Sequence, residues 1–230
     1  MTWFLANIDL VWRLALVHMA IAIPPIVLGF VISLPLGWLA ARYRGSRAVL
    51  LTLGTILYTI PSLALFIVIP VLLGTTIINP VNLVVALTIY AVALMVRATA
   101  DALASVDADV RQSATAVGFS GWQRFWRVEL PLSGPVMLAG LRVVSVTTVS
   151  LVSVGAVIGV TSLGYLFTNG YQRRIIGEVV TGVVSIVLIA LVFDVLLVLL
   201  GRLLMPWTRR MPRSARAPLP TLPRLDGGMA

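Results

Sequence analysis

The residues of this chain that could do chemistry are a few charges and aromatic rings set in apolar sequence. Arg142 and Asp194 are the two charges that lie deepest within apolar runs long enough to cross a membrane. Charges at such depth pair with one another or line a path for a solute. Arg142 lies about two helical turns after a polar stretch, so we expect its side chain to extend to the membrane surface. Asp194 is expected to pair with an arginine of another span or of a partner subunit.

Tyr58, Tyr90 and Tyr165 are the aromatic side chains that could bind a cation. The face of a tyrosine ring attracts positive charge, and these rings lie in or beside the apolar runs. They are therefore candidates for the lining of a cation path. Singly placed tyrosines also serve as packing groups or as anchors at the membrane surface, so both interpretations stay open.

Motifs of catalysis are absent from the sequence. It contains no GxxxxGK[ST] phosphate loop and no HExxH or GxSxG motif. It also has no cysteine, which excludes disulfides, zinc–thiolate sites and a cysteine nucleophile. We expect a protein that is not an enzyme and that binds no metal or cofactor of its own.

The elements that must position these residues are long apolar segments. The chain has 230 residues, 60% of them hydrophobic and 11% charged, which predicts an all-α integral membrane protein. Its five predicted spans are residues 14–41, 49–73, 81–96, 135–160 and 179–205. They have 16 to 28 residues, compared with the roughly 20 that a membrane-crossing helix needs. The arginine-rich loops are expected in the cytoplasm, which puts the N-terminus outside and the C-terminus inside. The net charge of +9 then reflects membrane orientation rather than nucleic-acid binding.

Three regions follow from this pattern. Residues 1–13 are expected to form an extracytoplasmic N-terminal segment, and residues 14–205 a single membrane domain. Residues 206–230 are rich in Arg and Pro without periodicity, so they are expected to form an extended cytoplasmic tail.

Residues 107–131 form the longest polar interruption and are predicted to fold as two short helices. Asp107 is a suitable N-cap for a helix that runs through Val117, and Gly118 can adopt the left-handed conformation that ends it. Ser120 then begins a second helix, in which Gln123 completes a capping box.

The second helix carries aromatic residues at helical spacing, Trp122, Phe125 and Trp126, which suit the boundary between water and lipid. It is expected to end at Leu130, because a residue that precedes proline avoids the helical region.

This loop resembles a known family motif. Gln112-Ser113-Ala114, then Gly118, then Leu130-Pro131 is similar to the EAA loop of binding-protein-dependent ABC importer permeases, whose pattern is Glu-Ala-Ala-x-x-x-Gly followed by Leu-Pro. Ala114 and Gly118 match the motif, as does the Leu-Pro pair. Gln112 replaces the family's Glu and Ser113 its second-position Ala, which removes a charge from the motif.

The resemblance covers about residues 19–200 and implies the partners of the chain. Two permeases, either sister chains or two copies, would form a pore in a bacterial plasma membrane. Residues 107–131 would dock into a cleft of a separate ATP-binding-cassette ATPase, which would hold ATP and Mg. An extracytoplasmic binding protein would deliver the solute. The spans would alternate between inward and outward opening.

The resemblance also implies roles for single residues of the loop. Gln112 would hydrogen-bond across the interface with the ATPase, and Ala114 and Gly118 would permit close docking. Ser113 would lie between Gln112 and Ala114 in the same contact surface. Phe125 would fill an apolar pocket. Leu130 and Pro131 would fix the angle between the loop and the fourth span.

Two shorter segments indicate the solute. Residues 60–65, Ile-Pro-Ser-Leu-Ala-Leu, and residues 163–166, Leu-Gly-Tyr-Leu, are similar to segments of osmoprotectant permeases, which implies glycine betaine, carnitine or choline as the solute. An amino acid such as methionine, or a small organic anion, is the alternative within the same architecture. An ion-driven transporter or channel subunit is the alternative from another class. Such transporters commonly contain inverted repeats, and this sequence shows no convincing repeat.

Overall fold

The computed structural model describes residues 2–210, and within this range the fold is all-helical, as predicted. The α-helices in the described residues are α1 (Thr2–Ala6), α2 (Ile8–Arg42), α3 (Arg44–Thr59), α4 (Ser62–Leu73), α5 (Pro80–Ala104), α6 (Ala108–Ala116), α7 (Gly121–Arg124), α8 (Leu130–Val154), α9 (Tyr165–Gln172) and α10 (Ile176–Leu204). A π-helical turn, Phe125–Glu129, joins α7 to α8, and short 3-10 turns follow α8 and α10.

Helix α5 lies at the centre of the bundle and packs against α2, α3, α4 and α8. Its neighbours approach closely because they present glycine. A Cβ added to Gly29 or Gly37 of α2, or to Gly140 of α8, would lie 2.5 Å from a side-chain carbon of α5. Small residues allow such close packing of helices in lipid, where no hydrophobic effect drives helices together.

The prediction of about five spans is confirmed, but the prediction that the second span is one continuous helix is wrong. Four segments are each long and apolar enough to cross a membrane, namely α2, α5, residues 121–158 and α10. The predicted second span is instead two helices, α3 and α4, bent by 100°. The bend lies at Ile60, whose ψ of 129° is extended because Pro61 follows it.

Several helices extend beyond the predicted spans because polar residues join their ends. Helix α2 begins at Ile8 and has Asp9 in its first turn, where a negative charge interacts favourably with the helix dipole. Helix α5 continues to Ala104, so Arg97 lies inside the helix rather than after it. The segment between the fourth and fifth predicted spans contains α9 (Tyr165–Gln172). Helix α10 begins at Ile176, before the predicted start of the fifth span.

The predicted tail, residues 206–230, lies mostly outside the described residues. Its first part, Pro206–Arg210, forms a 3-10 turn directly after α10.

Candidate coupling loop and solute path

The first half of the polar loop is a capped helix that ends in a left-handed glycine. The Asp107 carboxylate accepts a hydrogen bond of 2.8 Å from the Asp109 amide at the start of α6. Gly118 follows the helix with φ of +96°, a conformation that glycine adopts without steric cost. Both predictions for this half are confirmed.

The second half begins with the predicted capping box. The Gln123 amide donates to Ser120 Oγ at 3.3 Å, and the Ser120 amide donates to Gln123 Oε1 at 3.0 Å. These bonds satisfy two of the amides that a helix N-terminus leaves without partners. The turn between α6 and α7 is therefore fixed at both of its ends.

The prediction that the second helix ends at Leu130 is wrong. Leu130 is helical, with φ −62° and ψ −48°, and its amide donates to the carbonyl of Phe125, five residues back. The wider π-helical turn accommodates Pro131, which cannot donate a hydrogen bond to the preceding turn. Helix α7 therefore continues into α8, and Leu130 and Pro131 lie half-buried within this segment rather than at a corner.

Phe125 was expected to fill a pocket of the ATPase, and the structure corrects this. Its side chain is only 4% exposed and belongs to a core with Met95, Leu103 and Met137. It also packs edge-to-face against Trp38 of α2, with ring centroids 6.1 Å apart. Phe125 therefore anchors the loop to its own membrane domain. Helical spacing alone could not tell which face of the aromatic helix is buried.

Arg124 links the two halves of the loop, a role that was not predicted from the sequence. Its Nε donates to Glu129 Oε1 at 2.7 Å, and its Nη1 donates to Thr115 Oγ1 at 2.8 Å. The side chains of Arg124 and Glu129 are 17% and 11% exposed. Residues five apart do not face each other on a regular α-helix. The π-helical turn that brings this pair together has no clear signature in the sequence.

The exposed face of the loop combines the predicted residues with two apolar side chains. Gln112, Ser113 and Gly118 are exposed, and Ala114 is half-buried. Beside them Val117 is 79% exposed, as large an exposure as any apolar residue near the loop shows, and Trp122 is 65% exposed. Neither was predicted as a contact residue, although exposed apolar groups on a polar loop indicate a protein-binding surface.

An open cleft of about 850 Å³ lies behind α6. Gln112, Thr115 and Trp122 line it from the loop, and Trp38 and Tyr43 line it from the end of α2. The loop and the turn between α2 and α3 therefore form one continuous surface on one side of the bundle.

The three predicted path tyrosines do not form one site. Tyr90 is buried, and its hydroxyl donates to the carbonyl of Ile60 at the bend between α3 and α4. Tyr58 packs edge-to-face on Tyr90, with centroids 5.7 Å apart, and is 45% exposed. Tyr165 is 42% exposed on α9, and within residues 2–210 no ring contact joins it to the other two. Tyr90 thus stabilises the bend, whereas path roles for Tyr58 and Tyr165 stay predictions.

Arg142 and Asp194 form a bidentate ion pair between α8 and α10. Arg142 Nε lies 2.6 Å from Asp194 Oδ1, and Arg142 Nη2 lies 2.8 Å from Asp194 Oδ2. The expected pairing of Asp194 with an arginine of another span is confirmed. The expectation that Arg142 extends to the membrane surface is wrong, because its guanidinium reaches sideways to the neighbouring helix. Each charge satisfies the other where water is scarce.

Comparison with known proteins identifies the family. The family described as binding-protein-dependent transport system inner membrane component matches residues 33–210. The chain belongs to this family. This permease therefore acts in the bacterial inner membrane as the membrane component of a transport system that depends on a binding protein, rather than as an ion-driven transporter.

Named relatives of this permease match most of its length. It is 33% identical to the osmoprotectant import permease protein OsmW of Salmonella typhimurium, over 85% of this chain and 92% of the relative. It is 29% identical to the glycine betaine/carnitine/choline transport system permease protein OpuCB of Bacillus subtilis, over 82% of this chain and 86% of the relative.

Solved structures confirm the fold of this permease. An inward-facing conformation of the MetNI methionine ABC transporter contains a chain that aligns with a TM-score of 0.73 and 23% identity. The alignment covers 86% of this permease and 98% of that chain. At this identity the likeness shows the fold alone.

Proposed function

We propose that this permease imports a small osmoprotectant with a quaternary ammonium group, of the kind represented by glycine betaine, carnitine and choline. The observation that carries the proposal is the match to OsmW and OpuCB along at least 82% of this chain. The likeness extends through the helices that would surround a solute and is not confined to the loop motif. Tyr58 and Tyr165 present partly exposed rings that suit a cation.

The energy for import comes from a separate ATP-binding-cassette ATPase, which holds ATP and Mg, while this chain has no enzymatic activity and binds no cofactor. Residues 107–131 dock on that ATPase. The exposed side chains of Val117 and Trp122 support this role, because they supply an apolar contact surface. Gln112 and Ser113 add exposed hydrogen-bonding groups beside it, and Gly118 leaves room for close approach.

The continuity of α7 with α8 explains how docking would move the membrane domain. Residues 121–158 form one helical segment of 38 residues, about 57 Å long at 1.5 Å per residue. A displacement of its docked end is transmitted along α8, which packs against α2, α5 and α10. Closure of the ATPase would therefore rock these helices between inward and outward opening.

Two further partners complete the transporter. An extracytoplasmic binding protein delivers the solute and supplies most of the selectivity. A second permease, a sister chain or a second copy, forms the other half of the pore. The buried residues of α10 are only Glu178, Gly182, Ile189 and Gly201, so lipid and a second permease have ample apolar surface to cover.

Reconstitution tests the proposal. The permease is placed in liposomes with its ATPase and binding protein, and uptake of radiolabelled glycine betaine is measured with ATP or with a non-hydrolysable analogue inside. We expect uptake that requires ATP hydrolysis and that choline or carnitine reduces by competition, whereas methionine has no effect.

Two results would contradict it. Uptake that proceeds without ATP hydrolysis would remove the proposed energy source. Uptake of methionine but not of glycine betaine would keep the mechanism and replace the solute.

A further inference from the structure

A basic cleft lies between α3 and α5, apart from the coupling loop. Its volume is about 340 Å³. The lining residues are Arg44, Arg47, Ala48, Leu51, Thr52 and Thr55 of α3 with Arg97 of α5. We refer to it as the α3–α5 cleft. In the sequence these arginines indicate only the orientation of the chain in the membrane.

The cleft carries more positive charge than its own carboxylate neutralises. Arg47 Nη2 lies 2.6 Å from Asp101 Oδ1, and this exposed pair occupies one of the three guanidinium groups. Arg97 makes a single long contact of 3.4 Å with Thr55 Oγ1. Arg44 makes no polar side-chain contact within residues 2–210. Two arginines therefore keep donors for an external anion.

The cleft lies near the helix ends that the arginine-rich loops orient towards the cytoplasm. Arg44 is the first residue of α3, whereas Arg97 lies seven residues before the end of α5, about 10 Å into the helix at 1.5 Å per residue. Helix α3 has no buried residue, and Val49, Leu53 and Ile56 are at least half exposed. An acyl chain can lie along this apolar face while its headgroup reaches the arginines.

The charge of the whole chain argues against a second copy as the occupant. The sequence has 17 basic and 8 acidic side chains, so another copy would bring net positive charge to a basic cleft. An anionic lipid supplies the opposite charge and, unlike a soluble anion, also covers the apolar face. Basic pockets between membrane helices on the cytoplasmic side recognise such headgroups.

We propose that the α3–α5 cleft binds the phosphate of an anionic phospholipid, with Arg44 and Arg97 as the main donors. The bound lipid joins the first half of the bent helix pair to the central helix. This site is independent of the solute and of the ATPase. We therefore expect the cleft to prefer phosphatidylglycerol to phosphatidylcholine. Both lipids carry a phosphate, but only phosphatidylglycerol carries a net negative charge.

The test is native mass spectrometry of the full-length permease, titrated with phosphatidylglycerol or with phosphatidylcholine. The variants are Arg44→Gln, Arg97→Gln and the double variant, and the control is Arg173→Gln, an exposed arginine beyond α9. Each cleft arginine removed should weaken phosphatidylglycerol binding about fivefold. The double variant should weaken it about 25-fold. The control should bind like the unaltered permease, and size-exclusion profiles check that every variant remains folded.

Three results would overturn the proposal. The first is equal binding of the two lipids, and the second is unchanged phosphatidylglycerol binding in the double variant. The third is displacement of the lipid by millimolar inorganic phosphate, which would identify the cleft as a site for a free anion.

Discussion

The link between Arg124 and Glu129 should control how firmly the coupling loop is held. Glu129→Ala removes a charged hydrogen bond of 2.7 Å between side chains that are 17% and 11% exposed. A hydrogen bond to a charged group contributes about 1.5–3 kcal/mol, and the nearly buried guanidinium loses its main partner. We expect the loop to open more easily by about 2–3 kcal/mol, which corresponds to about 30- to 150-fold.

Hydrogen exchange measures this opening directly, because amide exchange reports local unfolding. The amides of residues 121–129 should exchange about 30- to 150-fold faster in Glu129→Ala. In Glu129→Gln the factor should be about tenfold, because an acceptor oxygen remains. Thr115→Val removes only the neutral side of the link, so it should accelerate exchange about fivefold, mainly in α6.

Arg127→Gln is the matched control. Arg127 is an exposed arginine of the same π-helical turn and makes no polar side-chain contact in the described part of the chain. Its exchange should stay close to that of the unaltered permease. Exchange in Glu129→Ala that is within threefold of the Arg127→Gln control would refute the role of the link.

Three further predictions concern single positions. Gly118→Ala should destabilise the loop by about 1–2 kcal/mol through backbone strain alone, because φ is +96° and no atom lies within 4 Å of the added Cβ. The loop amides of Gly118→Asn should exchange hydrogen more slowly than those of the alanine variant. Gly29→Leu should abolish a monodisperse peak in size-exclusion chromatography, because its Cβ alone would lie 2.5 Å from α5, whereas Gly45→Ala, in open space, should not. Asp194→Asn should reduce the yield of folded permease. Exchanging the two charges, Arg142→Asp with Asp194→Arg, should restore part of that yield. Equal yields of the unaltered permease, Asp194→Asn and the charge-exchange variant would contradict a role for the pair.

The sequence predicts local features of the loop well because their causes are local. The Asp107 cap, the Gly118 turn and the Ser120 capping box each depend on residues within a few positions of one another. The count of spans likewise follows from the lengths of apolar runs. The rule that a residue before proline avoids the helical region holds at Ile60, where it would have predicted the bend, but it fails at Leu130.

The remaining features depend on contacts between distant residues. Phe125 is buried because Trp38 and α5 lie beside it, which no helical period reveals. Tyr90 does not line a solute path because its hydroxyl donates a hydrogen bond to the carbonyl of Ile60, which the bend between α3 and α4 leaves without a helical partner. The Arg124–Glu129 link requires a π-helical turn whose presence depends on how Pro131 is accommodated.

The most direct test of the central claim is cross-linking of the coupling loop to the ATPase. The sequence has no cysteine, so Ser113→Cys, on the exposed face of the loop, places a single thiol there. Tyr171→Cys is the control, since Tyr171 is 83% exposed and α8, about 37 Å long, separates the two ends of the bundle. We predict a cross-link to the ATPase from residue 113 whose yield changes with ATP, and none from residue 171. No product from residue 113, or equal products from both, would contradict the account.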